Sequence, residues 1–454
     1  MESKILNREE KIQQGKTLRE NCPRTKHADW NPSLRKWEPI TLLENSNIDR
    51  IPGLVAIRYQ RMSESPFTFF RGSAIIQARD LVNSAVSGIT VQLCGDCHLL
   101  NFGGFATPER ALVFDINDFD ETFPGPWEWD IKRLVVSFVL AARELGFSKN
   151  IADDAVRAVT SSYRSRMLEY AEQSLLERWY AKVTIENLLE FFRKDQDTVR
   201  RLRQGERKAA SRTSETLFPK LTTVVKGHPK IKDEPPLIYH RKNMDVAKSM
   251  KFLNDYKASL QDDRRQLLDR YYLEDSAIKV VGIGSVGTRC IISLFFAEGE
   301  EPLFLQTKEA RRSVLEDPTG KSRFDLQGHR VVHGQRLMQS ASDIFLGWQR
   351  SESGHDYYIR QFHDMKIAAA IETFKPRTLI DYAIMCGWAL ARAHSKAGDA
   401  SMIAGYLGSK EKFDDALVQY ATSYADQVER DFKAFKAAIQ SGRLRTKPKK
   451  GTFL

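Results

Sequence analysis

Two spacings of apolar residues alternate along this chain, and the changes between them mark out its parts. Residues 1–50 follow neither spacing: they are polar and irregular around the Trp/Pro patch HADWNPSLRKWEP, which predicts an arm or a short helix with a loop. A helix is expected at about 52–63, followed by the aromatic segment SPFTFFRGSA, which reads as a loop packed beneath its neighbours. The β-branched run Ile89, Thr90, Val91 predicts a strand that leads straight into Gly95-Asp96. A second strand is expected in ALVFDI, ending in Asp115, Asp118, Asp120 and Glu121. The 3.6-residue spacing of IKRLVVSFVLAARELG predicts a buried helix, with helical periodicity running on to about Tyr180.

Residues 181–270 are charged and mostly helical in pattern, broken by the turn-rich KGHPKIKDEPP. Near 277 the period falls to two, and AIKVVGIGSVGTRCIISLFFAEGEEPLFLQTKEA predicts a three-stranded meander. A helix over 328–341, a hairpin in DIFLGWQRSESGHDYYIRQF, a helix from 376 and a last helix at about 410–440 complete the pattern. These shifts divide the chain into an arm (1–50), a first helical lobe with loops (51–275), a β lobe (276–366) and C-terminal helices (367–454) that complete the helical lobe.

At 454 residues, more than one lobe is expected. The charged N-terminal stretch has no signal-peptide core, and no apolar run of about twenty residues occurs, so the expectation is a cytoplasmic protein without a membrane span. Five scattered cysteines argue against a disulfide framework. A net charge of +11 suits an anionic partner. It is concentrated in 193–212 and 443–450, without a zinc finger or an aromatic stacking motif, which disfavours nucleic acid as that partner.

Gly282, Gly284 and Gly287 spell G-x-G-x-x-G. A dinucleotide fingerprint would open a helix at this point, whereas TRCIISLFF continues as a strand. A Gly-rich turn between antiparallel strands instead fits a loop whose amides cover phosphates, with Gly282, Gly284, Ser285 and Gly287 as the nucleotide-holding residues. The next strand carries Lys308, placed to neutralise the α- and β-phosphates. An ordinary hairpin with a surface lysine is the plainer alternative.

Between two apolar strands lies Gly95-Asp96-Cys97-His98-Leu99-Leu100-Asn101, and the DINDFDE run begins fourteen residues after Asn101. Phosphoryl transfer needs a carboxylate to orient the attacking hydroxyl, and an amide oxygen with a second carboxylate to hold Mg²⁺. This spacing offers all three. Four carboxylates within seven residues also repel one another unless a cation or a basic group sits among them.

The string G-D-x-H-x-x-N, a strand, D-F-D and then GPWEWDIKRL resembles the catalytic core of the aminoglycoside phosphotransferase and choline kinase branch of the protein-kinase-like superfamily. From about 50 to 430 the chain resembles a bacterial family of unknown function within that superfamily. The resemblance implies an α+β, two-lobed kinase-like fold, with a small antiparallel β lobe and a larger helical lobe. It implies Mg-ATP as cofactor and a phosphotransferase acting on a small-molecule or protein acceptor. By the same resemblance Asp96 is the catalytic carboxylate, Asn101 a Mg²⁺ ligand, and Asp130 a brace for the loop. The metal aspartate stays open between Asp115, favoured by spacing, and Asp118, favoured by the local text.

Two departures matter. The catalytic loop precedes the hairpin by almost two hundred residues, the order expected of a circular permutation. The helix after Lys308 offers Gln335 where relatives carry a glutamate, with Glu316 and Glu309 as weaker candidates, which keeps open a nucleotide-binding pseudokinase or an AMP-transferring enzyme. In YYIRQFHDMK (357–366) the resemblance places the strand and hinge beside the adenine, and Arg71 is a candidate phosphate contact. The C-x-x-C-H string at Cys94–His98 is set aside as a haem signal because such attachment needs export and no signal peptide is expected, and as a redox dithiol or half a zinc site because no second cysteine pair completes it.

Overall fold

The computed structural model describes residues 6–240, 246–298, 301–362 and 365–447. The hinge residues His363 and Asp364, part of the EGEE turn and the end of the basic tail lie outside the described residues.

The molecule is α+β, with helices packed in one large bundle and strands gathered in small antiparallel sheets. The bundle is organised by Glu128–Glu144, which is apolar on nearly every side and buried along almost its whole length. A helix of that kind must be covered all round. Lys149–Glu172, Pro376–Ala397 and Lys412–Gln440 enclose it, and Trp127 at its start stacks on Tyr163 with ring centroids 5.5 Å apart. The N-terminal segment joins this bundle. Arg8–Asn21 is a helix whose Gly15 lies so close to Met402 that an added Cβ would be 2.1 Å from its carbonyl oxygen.

The predicted meander and hairpin supply five strands of one six-stranded sheet, and Ile238–Tyr239, from the stretch expected to be mostly helical, supplies the sixth. Its order is Gly347–Arg350, Asp356–Gln361, Pro302–Glu309, Cys290–Phe296, Tyr272–Lys279 and Ile238–Tyr239, every pair antiparallel. Lys308 is paired with Cys290 on one side and Tyr358 on the other. The helix Gln327–Met338 packs on this sheet: an added Cβ at Gly328 would be 2.1 Å from the Tyr357 carbonyl oxygen.

Two small sheets link the sheet to the bundle. Thr90–Leu93 pairs with Phe123–Pro126, and Phe102–Ala106 lies between Leu112–Ile116 and Ile367–Ala368.

The aromatic segment SPFTFFRG is a correction to the sequence expectation. It is a helix, Pro66–Gly72, because Ser65 caps it by accepting the Thr68 amide and Pro66 has the fixed φ suited to a first turn. The turn-rich KGHPKIKDEPP likewise contributes a strand, His228–Ile231, to a hairpin with Thr222–Val225. No helix among the described residues is long and apolar enough to cross a membrane.

Candidate functional site

The loop after Thr90–Leu93 is built backbone first. Gly95 has φ +87°, and a Cβ there would lie 2.2 Å from the Glu121 carbonyl oxygen, so only glycine lets the 95–101 and 118–121 loops touch. Asp130, in the first turn of the central helix, accepts the Cys94 and Gly95 amides at 2.8 and 3.0 Å and faces His394 Nε2 at 3.3 Å. It braces the loop and does not reach the cleft.

Asp96 follows, with its Oδ1 held by Arg133 Nε at 2.5 Å. Arg133 is itself fixed by Gln77 and the Phe70 carbonyl, both at 3.0 Å. Burial pushes the Asp96 carboxyl above its usual value, and the Arg133 guanidinium offsets part of that rise. Asn101 Nδ2 donates to the Asp96 carbonyl at 2.6 Å, which leaves its amide oxygen as the acceptor of that side chain. His98 is driven well below its ordinary pKa by burial and by Arg71 and Arg133, so it is neutral and supports the loop.

Beyond the strand Leu112–Ile116, the carboxylates divide. Asp115 is fully buried and saturated: Oδ1 accepts from Arg392 and the Ile116 amide, and Oδ2 accepts the Ser340 amide and hydroxyl at 2.8 Å. Asp120 accepts Lys308 Nζ at 2.8 Å on one oxygen and the Tyr358 hydroxyl at 2.6 Å on the other. Burial works against the ionised form, but Lys308 outweighs it and holds Asp120 below the usual carboxylate range. Asp118 keeps a more open carboxyl, 3.7 Å from Lys308, which burial and the Asp120 charge push up.

These residues line a cleft of about 330 Å³ between the sheet, the two loops and the segment 45–75. Asp96, Asn101 and Asp118 are on its wall, as are Gly282, Gly284 and Ser285 of the hairpin. The Ser285 hydroxyl donates to the Val281 carbonyl at 3.0 Å and closes the turn.

Three sequence candidates are not on that wall. Asp115 is consumed by Arg392 and Ser340. Gly287, at φ +93°, packs on the Arg50 side chain. Lys308 is buried behind the Asp118 and Asp120 carboxylates.

None of the three expected partners of Lys308 reaches it. Gln335 donates to Gln339, Glu309 pairs with Arg289 and Glu316 pairs with Arg312. Asp120 replaces them. The text D-F-D carried that signal, since the carboxylates on either side of the buried Phe119 share a face and both meet Lys308, at 3.7 and 2.8 Å.

Arg133 was the residue missed, and its trace was an arginine set directly before the apolar run LVVSFVLAA of that helix. Cys94, Cys97 and Asp130 bring three ligand-type atoms within 4.8 Å of one another. Burial pushes the Cys97 thiol up to about 11 and the Cys94 thiol well above its ordinary value, and both Asp130 carboxylate oxygens accept backbone amides.

Residues 50–438 match the family described as an uncharacterized protein conserved in bacteria (DUF2252). No curated protein and no solved structure matches the chain.

Proposed function

Because the chain belongs to the DUF2252 family of bacterial proteins, whose description names no activity, we propose a function from the cleft: a Mg-ATP-dependent phosphotransferase of protein-kinase-like fold with permuted lobe order. One observation carries this reading. Asp96 and Asn101 are locked to each other through the Asn101 amide and the Asp96 carbonyl, with Asp118 on the same cleft wall beneath a Gly-rich hairpin. That is the donor set phosphoryl transfer requires.

The donors suit Mg²⁺. The Asn101 amide oxygen and the Asp118 carboxylate are hard oxygens, and Asp118 is the acid of its pair that stands off from Lys308, at 3.7 Å against 2.8 Å for Asp120. Bound Mg-ATP would supply the electrophilic γ-phosphorus, with ADP as the leaving group. Asp96 orients the acceptor hydroxyl and takes its proton as the oxygen attacks phosphorus. Arg133 keeps that carboxylate aimed. The backbone of Gly282–Ser285 covers the phosphates and excludes water.

A second reading has its own support. Lys308 is engaged by Asp120, not free to meet phosphates, which favours a binding-only pseudokinase or an AMP-transferring enzyme with the nucleotide in another pose.

Two isosteric variants separate these readings. The wild type should melt a few degrees higher in saturating Mg-ATP, since ligand at a hundred times its Kd contributes about 2.7 kcal/mol. Asp118→Asn should lose most of that shift. Asp96→Asn should keep the shift and lose nucleotide turnover by at least a hundredfold. Equal turnover by Asp96→Asn and wild type would remove the catalytic assignment, and no shift at millimolar Mg-ATP would remove the nucleotide.

A further inference from the structure

The cations that face the cleft are arginines contributed by segments outside the hairpin and the catalytic loop. Arg50, Arg58, Arg71 and Arg311 all line it. Arg50 Nε and Arg311 Nη1 converge on the Ser46 carbonyl at 3.1 and 2.9 Å, and Arg50 Nη1 reaches the Val286 carbonyl at 2.6 Å. Arg58 donates to the Ser46 hydroxyl at 3.2 Å and the Gly72 carbonyl at 2.6 Å.

Every one of these acceptors is neutral. Among the described residues Arg71 has no hydrogen-bond acceptor at all: its Nε is buried without a partner, and its guanidinium lies over the Phe67 ring at 5.7 Å.

The acids of the same cleft are mostly committed elsewhere. Asp96 is held by Arg133, Asp120 by Lys308 and Glu309 by Arg289, while Asp317 pairs with Arg79 and Arg312. Glu121 accepts the Val314 amide and faces Arg50 and Arg58 without a salt bridge. Among the described residues none of the four guanidiniums on the cleft lining has a salt bridge to a carboxylate, with Arg58 buried and Arg50, Arg71 and Arg311 half-buried. Burial first, and mutual repulsion second, lower Arg50, and the same burial takes Arg58 to about 10. Such an arrangement is costly unless an anion completes it. Planar guanidinium forks are the donors that match phosphate oxygens.

We infer that Arg50, Arg58, Arg71 and Arg311 form a phosphate site beside Asp96, separate from the nucleotide's own phosphates, so that the acceptor is a phosphate-bearing molecule. Arg71 and the reacting Asp96 carboxylate attract each other, and both are on the lining of this cleft. The word acceptor rests on the transferase reading; the anion site itself rests on the guanidiniums.

Calorimetric titration of the full-length protein with inorganic pyrophosphate, in a buffer free of sulfate and phosphate, tests this. The wild type should bind it, Arg71→Ala should bind at least tenfold more weakly, and Arg71→Lys should recover part of the loss. Binding should persist with Mg²⁺ and a non-hydrolysable ATP analogue at saturation. Absence of binding to the wild type, or equal binding by Arg71→Ala, would overturn the site. Displacement of pyrophosphate by the analogue would overturn its separateness and assign the arginines to the nucleotide. If pyrophosphate binds while the analogue does not, the phosphate site stands and the nucleotide reading falls. Should Arg71→Ala not fold, the competition arm on the wild type still decides.

Discussion

Lys308 shows how much one buried charge depends on its partner. Its side chain is 4% exposed and meets Asp120 at 2.8 Å, so Lys308→Met leaves two carboxylates in a site without their cation. The expected cost is about 3 kcal/mol, read as a fall in the denaturation midpoint. The pH dependence has a definite sign. Asp120 is held below its usual pKa, so its contribution is present above the unfolded-state value of about 3.9 and is lost as pH falls through the folded one. In Lys308→Met burial raises that carboxyl with only the Tyr358 hydroxyl and Arg360 left to offset it, so the deficit should shrink as pH falls and protonates Asp118 and Asp120. A deficit that stays constant from pH 7 to 4 would show that the pair does not titrate this way. Asp96 tests the reaction itself. Its carboxyl is raised by burial and lowered by Arg133, so Arg133→Gln should move the acidic limb of any kcat/KM profile to higher pH.

Local sequence rules account for most of the elements, and they fail where packing chooses between equal local options. The Gly-rich hairpin, the helix Gln327–Met338 and the strand holding Lys308 were legible because their apolar periods are unbroken. The segment SPFTFFRG was read as a loop although its Ser-Pro start is a helix signal; its crowd of aromatics drew attention away from the cap. The braced turn before Asp96 gives the sharpest test at this scale. Gly95→Ala must place a methyl group against the Glu121 carbonyl at a φ that alanine disfavours, so a loss of about 2 kcal/mol or more is expected in urea melts. Asp130→Ala strands two buried amides, at about 1–3 kcal/mol for each unsatisfied donor. An unchanged midpoint in either variant would mean the loop relaxes freely.

Over the whole molecule, the N-terminal segment is part of the bundle. Arg19 and Arg24 donate to the Gly405, Tyr406 and Leu407 carbonyls, and the buried His27 meets the Tyr406 hydroxyl at 2.6 Å. Removing residues 1–29 should therefore lower the melting temperature sharply and expose apolar surface to a fluorescent dye, whereas a detached arm would leave both unchanged. What the sequence by itself determined was local: where the period changes from 3.6 to two, where glycines interrupt strands, and which loops carry Asp96, Asn101 and the acidic run. What only the tertiary structure decided was proximity. It assigned Asp115 to Arg392 and Asp118 to the cleft, gave Lys308 an acid 188 residues away, and gathered Arg50, Arg58, Arg71 and Arg311 on one wall. The physical reason is that periodicity records which face of an element is buried, while a charge's partner is fixed by the packing of elements distant along the chain, which leaves no spacing to read.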